Sequence, residues 1–94
     1  MIYGHNMKQI EQTTSFKKDF KKYYKDEKIN NNLKDILFKL VNNIELDKKY
    51  KNHSLKGKYQ GFYDCYILPD VILIYEISYD IVTLVRIATH SELF

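Results

Sequence analysis

The chain changes its periodicity part-way along, and that change restricts what it can fold into. Up to Lys58 the apolar residues recur mainly at helical spacing; from Tyr59 onward they form short β-branched and aromatic runs separated by turns. Phe16, Phe20, Tyr23 and Tyr24 follow i, i+4, i+7 and i+8 with Lys17, Lys18, Lys21, Lys22 and Lys25 around them, which predicts an amphipathic helix with a basic outer face. Thr13, Thr14 and Ser15 supply hydroxyls suited to cap it, and the stretch from Lys8 to Thr14 reads as a short first strand. Asn30 to Asn32 read as a break. Leu33, Ile36, Leu37, Leu40, Val41 and Ile44 then repeat the helical spacing, so a second helix is expected. Lys48 to Lys58 carries no period and reads as a loop.

The later runs, Tyr59–Leu68, Val71–Ile77 and Ile81–His90, are rich in Ile, Val, Tyr, Phe and Thr. Pro69-Asp70 and Ser78-Tyr79-Asp80 punctuate them, so a three-strand antiparallel meander is expected. Its middle strand, VILIYEI, should be the most buried. Strand, two helices and meander make an α+β domain with the helices packed on one sheet face and the other face left for function.

A chain of 94 residues buries only about 60–65% of its unfolded surface, enough for one core. The expected organisation is an extension over residues 1–7 outside the fold and one domain over 8–94. With 45% apolar and 29% charged residues the chain lies outside the regime of disorder. Its longest apolar run, Val71 to Tyr75, falls far short of the roughly 20 residues of a membrane-spanning helix. The opening MIYGHNMKQI lacks the pattern of a secretion signal, so a cytoplasmic location is expected. A lone Cys65 excludes an internal disulfide and fits a reducing compartment.

Charge is polarised along the chain. All fourteen lysines lie in residues 1–58 against seven acids, a balance of +7, whereas residues 59–94 hold five acids and one basic residue, Arg86. Such a field suits an anionic partner, nucleic acid or an acidic protein, although a solvated helix surface would show the same lysines.

Strict alternation along the last strand puts Leu84, Arg86, Ala88 and His90 on one face. Arg86 offers a fixed cation, His90 an imidazole able to move a proton near neutral pH, and the loop bearing His53, Lys56 and Lys58 adds a second imidazole and phosphate-binding charge. That is the inventory of a metal-free ribonuclease, which must deprotonate a 2′-hydroxyl, neutralise the phosphorane and protonate the leaving 5′-oxygen. His90 is expected as general acid, with His53 or Asp70 as general base. A metal site made by His53, Asp70 and His90 is a further reading, but the spacing matches no metal-ligand motif.

Three separated segments carry a family likeness: HSLKGK at 53–58, DCYILPDVILIY at 64–75 and LVRIATHSELF at 84–94. From about Lys8 to Phe94 the chain resembles the YafQ branch of the RelE-type toxins of bacterial type II toxin–antitoxin pairs. The resemblance implies a RelE-like fold and a ribosome-dependent messenger-RNA endonuclease without cofactor or metal. It also implies inhibition by a cognate antitoxin, acidic and DNA-binding, which alone would bring the toxin to operator DNA. His53, Asp70, Arg86, His90 and Phe94 match family positions. Tyr66 stands where the family usually has a histidine, Tyr63 where it often has an arginine, and Ala88 where it usually has a glycine. A phenol, with an ordinary pKa of about 10, is a poor base at neutral pH, so Tyr66 is expected to position RNA. Lys56 and Lys58 are expected to hold phosphates and Phe94 to stack on a base. The alternative reading is a catalytically weakened relative that engages antitoxin or ribosome as a binding module.

Overall fold

A computed structural model describes residues 7–57 and 60–94; the expected extension, apart from Met7, and the expected phosphate contact Lys58 lie outside the described residues. The two sequence patterns become two layers. The elements are β1 (Gln9–Gln12), α1 (Thr14–Phe20), α2 (Glu27–Val41), a 3₁₀ turn (Lys48–Tyr50), β2 (His53–Ser54), β3 (Phe62–Leu68), β4 (Val71–Ser78), β5 (Ile81–Ala88) and α3 (His90–Leu93). The strands form one sheet in the order β1-β5-β4-β3-β2. β1 runs parallel to β5, and the other neighbours are antiparallel.

The core lies between α1 and α2 and one sheet face. Ile29, Leu33, Ile36 and Leu40, at i, i+4, i+7 and i+11 of α2, meet Cys65 and Ile67 of β3, Leu73 and Tyr75 of β4, and Val82, Leu84 and Ile87 of β5. Each such aliphatic side chain contributes about 1.5–3 kcal/mol through burial. Cys65 is fully buried, and burial pushes its thiol up to about 12, so it remains a protonated core residue. Among the described residues no helix is long and apolar enough to cross a membrane.

Four local expectations are corrected. Asn30 to Asn32 do not break a helix: Asp26 caps α2 by accepting from the Ile29 amide, and the helix runs through the asparagines. The Asn30 and Asn32 side chains instead donate outward to the Tyr24 and Ile67 carbonyls. α1 ends at Phe20, short of Tyr23 and Tyr24, while α2 ends at Val41 and leaves Ile44 exposed. The 48–58 segment is not wholly irregular. Its 3₁₀ turn buries Tyr50, whose hydroxyl donates to Asp35, and β2 adds a fourth antiparallel strand beside β3. Finally, the last strand stops at Ala88, so His90 opens α3 rather than ending a strand.

Candidate active site on the open sheet face

Regular alternation would turn Arg86 to the helix-covered side together with Val82 and Leu84, both core residues. A β-bulge prevents this. Tyr75 pairs with Leu84 and Ile74 with Arg86, so Val85 is the extra residue and Arg86 changes face. Leu84 and Arg86 therefore do not share a face, as strict alternation had implied, whereas Ile87 returns to the core.

The bulge is held by α1. The Thr13 hydroxyl accepts from the Phe16 amide as N-cap of α1 and donates to the Val85 carbonyl at 2.8 Å. Asp19 accepts from the Ile87 amide at 3.1 Å and, through both carboxylate oxygens, from Arg86 Nε at 2.6 Å and a terminal guanidinium nitrogen at 3.1 Å. Where β1 ends, these two side chains take over as hydrogen-bond partners of β5. The pair raises the already high pKa of Arg86, first through the hydrogen bond to Asp19.

The corrected register aligns His53, Asp64, Ile74 and Arg86 in one row across β2, β3, β4 and β5. Tyr66, Ile72 and Ala88 form the next row. Asp64 is 8% exposed, and its Oδ1 has no hydrogen-bond partner among the described residues; His53 Nδ1 lies 3.5 Å from it. Burial raises the Asp64 carboxyl above the usual range, while the charges of His53 and His90 pull it back. A desolvated carboxylate 3.5 Å from an imidazole nitrogen can orient that ring.

Sequence reasoning missed Asp64 as a site residue. Its signal was a carboxylate inside the apolar run FYDCYIL, two residues before Tyr66 and hence on the same face. Asp19 was missed as well, since nothing in the local pattern of the first helix singles it out.

α3 carries His90 and Phe94 to the β5 end of this face, where their rings are 5.1 Å apart. A capping box holds α3: Glu92 accepts from the Thr89 amide at 2.9 Å and the Thr89 hydroxyl at 3.0 Å. Lys22 pairs with Glu92 at 2.7 Å, and these bonds hold the Glu92 carboxyl down to about 2.

Asp70 is exposed in the β3–β4 turn at the same end of the sheet; burial raises the nearby Tyr23 phenol, and the Glu92 and Asp70 charges add to that. Lys56 is exposed after β2, and Tyr66 is half-buried. Tyr63 faces the core side, stacked on Tyr75 at 5.4 Å. His53, Asp70 and His90 do not gather as a metal site: among the described residues no group of three His, Cys, Asp or Glu could hold a metal ion.

Sheet order, one-sided helices and an open face bearing two imidazoles, a buried carboxylate and a guanidinium define a toxin-like α+β domain. The chain belongs to the YafQ family, described as the bacterial toxin of type II toxin–antitoxin systems, whose profile matches residues 8–94. It is 37% identical over 86 residues to the mRNA interferase toxin YafQ of Escherichia coli K12, covering 90% of this chain and 94% of that protein. A copper-bound mutant toxin from Helicobacter pylori superposes with a TM-score of 0.87 at 36% identity, covering 94% of this chain and all of that one. YafQ in the E. coli DinJ–YafQ complex superposes at 0.81 with 36% identity, covering 93% and 98%.

Proposed function

We propose that this toxin is a messenger-RNA endonuclease that cuts by attack of a 2′-hydroxyl on its own phosphate, needs no metal for the chemistry, and acts on RNA held by the ribosome. The observation that carries this reading is the row His53–Asp64–Ile74–Arg86 with His90 presented beside it. His90 is the general acid for the leaving 5′-oxygen. Of the two candidate bases, His53 is favoured over Asp70 by its contact with Asp64, whose carboxylate orients the imidazole and stabilises it once protonated. Arg86 supplies charge where the phosphorane develops. Phe94, exposed next to His90, stacks on a base, while Lys56 and Lys58 serve the RNA backbone.

The same reading places the protein in the cytoplasm with an antitoxin partner, as the DinJ–YafQ complex of the E. coli relative supports. The lysine-rich first 58 residues suit an acidic segment that folds on binding, and operator DNA is reached only through the antitoxin. One observation favours the weakened, binding-only alternative: the Arg86 guanidinium is already engaged by Asp19. Replacing only the attacked nucleotide by its 2′-deoxy form tests the mechanism. Cutting should stop and binding persist; continued cutting of that substrate would overturn it.

A further inference from the structure

We propose that a groove beside the catalytic face holds a nucleobase of the RNA strand next to the cut site, with that nucleotide's phosphate on Lys49 and Lys51; this rests on the RNA reading above. The groove has a volume of about 460 Å³, in the range of small-molecule sites. Along its wall β3 departs from regular pairing. Tyr66 pairs with Ile72 and Leu68 with Val71, leaving Ile67 as an extra residue. The Ile67 carbonyl accepts from Asn32 Nδ2 at 2.8 Å, which fixes the amide orientation and leaves Asn32 Oδ1 to accept from a base amino or imino group.

The chemistry of the walls selects the occupant. Ile67, Leu68 and Pro69 give an apolar floor, and the half-buried Tyr66 ring gives a stacking surface. Lys49 and Lys51 stand at the rim, and among the described residues no lining side chain carries a carboxylate. Their placement is built in. Lys49 Nζ lies 5.2 Å from the centre of the buried Tyr50 ring, and Lys51 has φ of 46°, a left-handed conformation that a side-chain-bearing residue seldom adopts. An apolar slot with an aromatic wall, one amide acceptor and two cations matches a base and its phosphate; a neutral metabolite would leave the lysines unused. His53 and Tyr66 line the groove and also stand on the catalytic face, so a strand crossing that face passes directly into it.

An uncleavable 2′-O-methyl tetranucleotide, titrated into the full chain and followed by amide NMR, tests the assignment. Shifts are expected at Lys51, Leu68 and the Asn32 side-chain amide. The double variant Lys49→Gln, Lys51→Asn should weaken binding about tenfold or more and reduce the slope of log affinity against log salt by about 0.7, as for one single-strand phosphate. In cleavage assays it should raise the half-saturating RNA concentration much more than it lowers the saturated rate. Parent-like affinity and salt slope in the double variant, or shifts confined to the His53–Arg86 row and α3, would overturn the groove. Saturable binding there by a protein that never cuts RNA would instead overturn the endonuclease reading and leave the groove standing.

Discussion

His53 Nδ1 on β2 lies 3.5 Å from Asp64 Oδ1 on β3, and it is the ionisable partner facing an otherwise unpaired buried oxygen. Burial disfavours a lone carboxylate at Asp64, and the nearby His53 only partly offsets this. Since burial raises the Asp64 pKa, the folded chain holds that proton more tightly than the unfolded chain. Stability then falls as pH rises from the ordinary carboxylate value of about 3.9 through the raised one, and stays lower above it.

Asp64→Asn should therefore be more stable than the parent near neutral pH, with the difference disappearing near pH 3. Denaturant midpoints across pH measure this. The same variant should cut RNA more slowly because His53 loses its charge partner, and His53→Ala should lose about 10²- to 10⁴-fold. A parent more stable than Asp64→Asn at pH 7 would refute the assignment of Asp64 as a desolvated charge.

The division into layers was legible from Phe16, Ile36, Leu73 and their periodic neighbours, because burial in a small domain leaves period 3.6 or 2 in the sequence. The bulge at Val85 was not. It leaves no mark on the local pattern and depends on Thr13 and Asp19, some seventy residues earlier. Asn30 to Asn32 misled for a similar reason: the Asn30 and Asn32 side-chain amides find carbonyl partners beyond the helix that isolated propensity does not register. The first six residues of α2 were thus hidden.

Asp19 and Arg86 should separate stability from RNA affinity. Asp19→Asn removes the carboxylate that holds Arg86 and the Ile87 amide, at a cost of about 1–3 kcal/mol. It also frees the guanidinium charge, so RNA binding should tighten while the unfolding midpoint drops. Arg86→Ala should slow cutting about 10²- to 10³-fold by removing positive charge from the developing phosphorane. Weaker RNA binding by correctly folded Asp19→Asn would show that the pair positions Arg86 rather than competing with phosphate for it.

The anchoring of α3 should respond to acid. The Glu92 carboxyl is held down to about 2, so its contribution is fully present above the ordinary glutamate value of about 4.3 and is lost as pH falls toward 2. Hydrogen exchange of the Leu93 and Phe94 amides, which donate to the Thr89 and His90 carbonyls, should show constant protection from pH 5 to 8 once corrected for intrinsic rates, and weaker protection below about pH 4. Glu92→Gln should show weakened protection at neutral pH. Equal protection in both proteins at pH 7 would show that α3 is held by other contacts.

Tyr66 and His90 face the same reaction with different chemistry, and their variants should separate accordingly. Tyr66 shares a row with the apolar Ile72 and Ala88 and borders the groove, so its ring has a stacking surface and no imidazole for proton transfer. Tyr66→Phe should keep most of the cutting rate, whereas Tyr66→Ala should lose about 1–3 kcal/mol of RNA binding. His90→Ala should instead keep RNA and antitoxin binding and lose about 10²- to 10⁴-fold in the saturated rate, the contribution of a positioned general acid. Tyr66→His adds an imidazole at the edge of the row. A large gain in its rate would identify the natural protein as a weakened enzyme, and no gain over a strongly active parent would show that the phenol already meets the site's needs. A Tyr66→Phe loss as deep as that of His90→Ala would make the hydroxyl a participant in proton transfer, and undiminished cutting by His90→Ala would remove the imidazole from that role.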